Sequence, residues 1–149
     1  MSVIPDCVDI GAPWKVLPPG VHEASINEVE QRYATNERRK QLMAGMKKAL
    51  ENLRSAGCRS AFINGGFVTE KENPGDFDLC WLPVGVNTKA LDPVILNTSP
   101  EGRKKQKAKY GGEMFPSMAD ASSGGFFFSF FQKDKFTGKP KGIIRITLL

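Results

Sequence analysis

The longest periodic stretch of apolar residues lies between positions 36 and 56. These residues recur at intervals of three and four, the spacing of one face of an α-helix: Leu42, Met43, Met46, Ala49, Leu50 and Leu53. Thr35 or Asn36 can cap the start of such a helix, and Gly57 stands where helices commonly end. The pattern predicts a long amphipathic helix whose apolar face belongs to the core.

Shorter helices are predicted from their end signals. Ser25 followed by Glu28 forms a capping box, which predicts a short helix to about Tyr33. Ser99-Pro100 predicts the start of a basic helix that ends by Gly111-Gly112. A weak helical turn is expected around position 92. Residues 1–24 carry four prolines, which predict an extended arm held against the domain by residues 14, 16 and 17.

The pattern changes to that of strands after position 59. Residues 60–63 are short and apolar and precede the turn Asn64-Gly65-Gly66. In residues 76–82, the apolar side chains of positions 77, 79 and 81 alternate with Asp76, Asp78 and Cys80. Residues 113–125 are predicted to be loop, and residues 126–132 and 142–149 a C-terminal β-hairpin with a longer connection.

These elements predict an α/β (α+β) fold, with a small mixed sheet and helices packed mainly on one face. We expect an extended arm over residues 1–24 and one domain over residues 25–149. No apolar run is long enough to cross a bilayer, and the first residues lack a secretory signal, so we expect a cytoplasmic protein. Three cysteines without a C-x-x-C pair support neither a disulfide framework nor a zinc ribbon. The net charge of +5 mildly favours anionic partners.

The strongest candidate for chemistry is the pair Asp76 and Asp78. Alternation places both on one face of one strand, with α-carbons about 6.6 Å apart. Aspartate is a poor strand residue, and such a conflict between propensity and pattern is typical of functional sites. A magnesium ion prefers such oxygen ligands. Gly65 and Gly66 would allow backbone N–H groups to approach a phosphate. An exposed edge strand with solvated acids is the alternative interpretation.

The run Ile63-Asn64-Gly65-Gly66, a polar spacer and then Asp76-Phe77-Asp78-Leu79 resembles the signature of the nucleotidyltransferase superfamily, the DNA polymerase beta-like proteins. Two further runs, Leu17-Pro18-Pro19-Gly20-Val21-His22 and Ala108-Lys109-Tyr110-Gly111-Gly112-Glu113, resemble short, uncharacterised bacterial and phage members.

The resemblance implies that Gly65 and Gly66 bind a nucleoside triphosphate, while Asp76 and Asp78 are catalytic and bind Mg²⁺ or Mn²⁺. It implies the minimal fold of that superfamily. It also implies transfer of a nucleoside monophosphate to a hydroxyl of RNA or protein. Some short members are antitoxins with a partner protein.

Active members usually carry a third carboxylate on a later strand. The strand predicted over residues 126–132 offers Ser129 and no acid. Glu113 and Asp134 are nearby in sequence but in predicted loop or strand-end positions, so either one of them folds into the site or the third acid is absent. Without a third acid, the chain would be a catalytically weakened nucleotide- or RNA-binding domain, or an antitoxin-like regulatory partner.

Two basic clusters are candidates for anion binding. Arg103 and Lys107 share a face of the predicted basic helix and could bind triphosphate or an RNA backbone; a solvated lysine-rich face is the alternative. Four lysines at positions 133, 135, 139 and 141 form the second cluster, and both clusters beside one cleft would favour nucleic acid. Arg38, Arg39 and Lys40 are predicted to form a solvated face, with an anion site as the alternative.

Overall fold

The computed structural model describes residues 4–116 and 133–149. Helix α1 spans Ile26–Tyr33, α2 spans Glu37–Ser55, α3 spans Pro93–Leu96 and α4 spans Pro100–Tyr110. Each begins at its sequence signal: Ser25 and Glu28 form a capping box, and the side chains of Asn36, Asp92 and Ser99 accept backbone N–H groups. The predicted helices are therefore confirmed.

The described strands form one mixed five-stranded sheet in the order β1-β5-β2-β3-β4. Strand β1 spans Gly20–Glu23, β2 spans Ser60–Asn64, β3 spans Phe77–Trp81, β4 spans Gly112–Pro116 and β5 spans Gly142–Thr147. The pairs β1–β5 and β3–β4 are parallel, while β2 is antiparallel to both β3 and β5. The predicted α+β class and mixed sheet are confirmed.

The main core lies between the helices and one face of the sheet. It contains the predicted apolar stripe of α2 together with Leu79, Trp81, Met114 and Ile144 from the strands. A smaller cluster of Phe62, Cys80 and Ile143 belongs to the opposite face. The polar residues that alternate with the core residues of β3 and β4 are therefore directed away from the helices.

Two segments differ from the sequence-based expectation. Residues 113–116 were predicted to be loop but belong to β4, which pairs in parallel with β3. The segment is short and has no clear alternation of apolar and polar residues, so its strand conformation depends on hydrogen bonds to a distant part of the chain. The arm ends in β1, an edge strand beside β5. Of the predicted hairpin, residues 126–132 and Ser129 lie outside the described residues. No described helix has the length and apolarity needed to cross a membrane.

Candidate metal and nucleotide site

Glu113 is the third carboxylate beside the two predicted aspartates. Strand β4 pairs with β3 in a register that places Glu113 directly opposite Asp78. Asp76 stands immediately before β3. One carboxylate oxygen from each of Asp76, Asp78 and Glu113 lies within 4.8 Å of the others. Three acids from two neighbouring strands therefore converge on one point.

The donor set of this cluster fits a hard divalent cation. Mg²⁺ binds oxygen at about 2.0–2.1 Å, so ligand oxygens on opposite sides of the ion are about 4.2 Å apart. The three carboxylate oxygens lie within 4.8 Å of one another, so one ion between them can be reached by all three side chains. All three residues are only partly exposed, which leaves an open side for water and substrate. The cluster thus has the oxygen donors that a hard divalent cation prefers.

Burial and like charge perturb the carboxyl group of Asp78. Its pKa is raised from 3.8 to about 6, first by desolvation and then by the nearby carboxylates of Asp76 and Glu113. Lys141 and Lys107 act in the opposite direction but do not cancel the effect. The pKa of Asp78 is thus raised mainly by burial, and in second place by the charges of the two neighbouring acids.

Gly65 brings the backbone of the β2 turn against the Asp78 side chain. Its φ of +77° is in the region that favours glycine, and a β-carbon there would lie 2.5 Å from Oδ2 of Asp78. Gly66 begins a short 3₁₀ turn, Gly66–Val68, and its carbonyl oxygen accepts the Thr69 hydroxyl at 2.7 Å. The glycine pair therefore lines the space in front of the carboxylates.

Arg39 holds the loop that follows the glycine pair. Its guanidinium donates to five backbone carbonyl oxygens, those of Tyr33, Gly66, Phe67, Thr69 and Lys71. The residue is 4% exposed and has no ion pair with any described residue. The prediction of a solvated face was wrong for Arg39, because helical periodicity turns this position towards the loop.

The two basic residues predicted to bind triphosphate lie against the carboxylates. Lys107 Nζ is 3.2 Å from Oδ2 of Asp76 and 3.1 Å from Oε1 of Glu113. Arg103 Nη1 is 3.8 Å from Oε2 of Glu113. A divalent cation and the Lys107 ammonium would thus share the same ligands. The predicted contact of these residues with phosphate stays a prediction.

A cleft of about 430 Å³ opens beside the carboxylates. Its wall contains Gly65, Gly66, Asp76 and Asp78 together with four lysines, namely Lys71, Lys133, Lys135 and Lys141. Trp14 and Phe136 line the same cleft. Its size is within the usual range for sites that bind nucleotides and other small ligands. Three of the four lysines of the second basic cluster therefore line the same cleft as Asp76 and Asp78. The fourth, Lys139, instead donates from Nζ to the Ile10 carbonyl oxygen at 3.1 Å.

Asp134, the other acid considered from sequence, is committed to a turn. Its Oδ2 accepts the N–H groups of Phe136 and Thr137 and the Thr137 hydroxyl. Sequence patterns named Glu113 only as one of two acids that could fold into the site, and they did not identify Trp14 or Phe136 as site residues. A signal for Glu113 was available, because a helical crossover that follows a strand commonly returns the chain to a parallel neighbour.

A comparison with protein-family models gives a match over residues 12–147, to a family described as of unknown function, DUF6932. No curated protein and no solved structure matches the chain. The match covers nearly the whole sequence, including both strands that carry the three carboxylates and the turn that carries the glycine pair, and the chain therefore belongs to the DUF6932 family.

Proposed function

We propose that this protein is a nucleotidyltransferase that depends on Mg²⁺ or Mn²⁺ and transfers a nucleoside monophosphate from a nucleoside triphosphate to a hydroxyl of RNA or protein. The observation that carries the proposal is the position of Glu113 opposite Asp78 and beside Asp76, next to the glycine turn. The hypothesis of a weakened module was based on a missing third acid, and Glu113 provides a carboxylate at that place.

The roles follow from the geometry. Asp76, Asp78 and Glu113 would hold the cation, which when bound neutralises charge on the triphosphate and on the leaving pyrophosphate. Gly65 and Gly66 leave room for the phosphates beside Asp78. Lysines of the cleft, Lys71 and Lys141 among them, supply ammonium groups for the same charge. The hydroxyl oxygen of the acceptor attacks the α-phosphorus as the bond to pyrophosphate breaks, and the hydroxyl proton passes to a carboxylate of the cluster or to water.

Labelled triphosphates test the proposal directly. Incubation of the protein with Mg²⁺, cell extract and a triphosphate labelled at the α-phosphate should label an acceptor, whereas a γ-label should not be transferred. Asp76→Asn, Asp78→Asn and Glu113→Gln should each abolish the labelling. Glu101→Gln, which removes an exposed carboxylate of α4, is the matched control and should keep it.

Three outcomes would overturn the proposal. Equal α-labelling by the wild type and by the variant that lacks all three carboxylates would exclude the cluster from catalysis. Transfer of the γ-label would indicate a kinase. Nucleotide binding without transfer to any acceptor would instead favour the nucleotide- or RNA-binding regulatory module.

A further inference from the structure

Two aromatic rings meet in the cleft that contains the carboxylates. Trp14 and Phe136 form an edge-to-face pair with centroids 5.4 Å apart and ring planes at 90°. Phe136 is 51% exposed and Trp14 is partly exposed, although most large apolar side chains of the described residues are buried. The pair therefore presents apolar ring surface to the solvent within a cleft that also contains several charged side chains.

Both rings are held in place by backbone hydrogen bonds. Trp14 lies on the arm, where Val8 and Val16 exchange N–H···O bonds of 2.7 and 3.0 Å and the Glu70 N–H donates to the Lys15 carbonyl oxygen at 2.9 Å. The second ring lies in the turn organised by the buried Asp134 carboxylate. Rings fixed in advance lose little conformational entropy when a ligand stacks on them.

Lysines connect the rings with the carboxylates. Lys71 Nζ lies 4.8 Å from the centroid of the Trp14 ring, and Lys135 Nζ lies 5.2 Å from that of Phe136. Both lysines line the cleft with Asp76 and Asp78. The lining thus includes two of the three carboxylates that could hold a divalent cation, ammonium groups for phosphate and a pair of aromatic rings. A nucleotide has the same three chemical features in one molecule.

We propose that Trp14 and Phe136 form the subsite for the nucleobase, which stacks on the pair while the phosphates contact the lysines and the cation. This inference rests on the proposed function, since it assigns the base end of the same substrate. Every nucleobase has a π-face that can stack on an aromatic side chain. Stacking therefore predicts modest discrimination among the four bases.

Intrinsic fluorescence provides the first test. The chain has two tryptophans, and Trp81 is only 2% exposed. Of these two fluorophores, only Trp14 would therefore be in contact with a ligand in the cleft. With Mg²⁺ present, ATP should quench the emission, and inorganic tripolyphosphate, which lacks a base, should bind without quenching. The response to ATP should disappear in Trp14→Phe, which keeps an aromatic ring and should bind ATP within about twofold of the wild type.

Calorimetry with the same two ligands provides the second test. Trp14→Ala and Phe136→Ala should each lower the affinity for ATP by roughly 5- to 150-fold, the usual contribution of base stacking, and leave that for tripolyphosphate unchanged. Phe136 is largely exposed, so its alanine variant should fold normally. Val84→Ala, a change at a residue that is 71% exposed and is not part of the cleft lining, is the control.

The outcomes separate this inference from the proposed function. Equal loss of ATP and tripolyphosphate affinity in the aromatic variants, or no loss of either, would overturn the base subsite while the metal and phosphate site stands. Absence of Mg²⁺-dependent binding of both ligands to the wild type would overturn both proposals.

Discussion

A β-carbon on Gly65 would lie 2.5 Å from Oδ2 of Asp78, so the turn after β2 and the central acid of the site occupy neighbouring space with no room for a methyl group. Real β-carbons essentially never approach another atom this closely. Gly65 also has a φ of +77°, which disfavours other residues. The glycine of the motif is therefore required to keep the Asp78 carboxylate in its position, independently of any contact with phosphate.

The first prediction concerns Gly65→Ala. The variant should lower the affinity for Mn²⁺ at least about tenfold, because the new methyl group displaces Asp78. It should also lower the free energy of unfolding by about 1–3 kcal/mol through backbone strain and the close contact. Calorimetry with Mn²⁺ and denaturant unfolding measure the two effects.

Gly138→Ala is the matched control, since Gly138 has a φ of +71° with no atom near its added β-carbon. Gly138→Ala should lower the free energy of unfolding through backbone strain but leave the affinity for Mn²⁺ unchanged. Equal Mn²⁺ affinity in both alanine variants would contradict the proposed contact.

The second prediction concerns the pH dependence of stability. The pKa of Asp78 is raised from 3.8 to about 6, so the folded protein binds an additional proton in that range. The stability of the metal-free protein should therefore fall as the pH rises from about 4 to 6, by up to about 3 kcal/mol, relative to a variant without this carboxyl.

Urea unfolding of the wild type and Asp78→Asn at several pH values measures this difference. The asparagine variant should gain stability relative to the wild type up to pH 6 and keep that gain at pH 8. Saturating Mg²⁺ should reverse the order at pH 8, because the cation stabilises only the protein that binds it. A constant difference between the two proteins from pH 4 to pH 8 would show that the carboxyl is unperturbed.

The third prediction concerns the ammonium group of Lys107, which lies between Asp76 and Glu113. Lys107→Met should raise the affinity for Mn²⁺ about three- to tenfold, because Lys107 Nζ competes for the oxygens of Asp76 and Glu113. The side chain is 48% exposed, which keeps the expected effect modest.

Lys104→Met, on the same helix, is the control, since Lys104 pairs at 3.8 Å with an exposed residue of its own helix, Glu101. Tripolyphosphate binding by the same variants tests the sequence-based role: if Lys107 also contacts phosphate, its removal should weaken that binding. Weaker Mn²⁺ binding by Lys107→Met would rule out competition.

The fourth prediction concerns Arg39. Arg39→Met should lower the free energy of unfolding by about 3 kcal/mol or more. The substitution leaves buried carbonyl oxygens in the loop that follows Gly65 and Gly66 without a hydrogen-bond donor. Arg39→Lys keeps a charge but loses the planar fork of donors, so it should restore only part of the stability.

Lys40→Met changes the exposed neighbour and should leave stability within about 0.5 kcal/mol of the wild type. Thermal and denaturant unfolding measure the series. Metal affinity of the folded fraction of Arg39→Lys should fall as well, since the loop it holds begins at Gly66. An Arg39→Met protein as stable as Lys40→Met would contradict the role of the guanidinium.

Sequence by itself determined the local elements and the centre of the candidate site. Capping signals such as Ser25 with Glu28, and the apolar stripe of α2, act within a few residues, so their structural result can be predicted without the rest of the chain. The alternation of apolar and polar residues along β3 likewise predicted that Asp78 lies on the face of the strand opposite to the core residues. Those interactions are local, and their periodicity is visible in one dimension.

Only the tertiary structure decided which residues complete the site. Glu113 joins Asp78 because β4 pairs with β3 in one particular register, and Trp14 meets Phe136 because the arm and a turn near the other end of the chain meet at one cleft. Arg39 becomes buried because a loop folds over it. Each of these contacts joins distant positions, and their geometry depends on the packing of the whole domain, which no local pattern encodes.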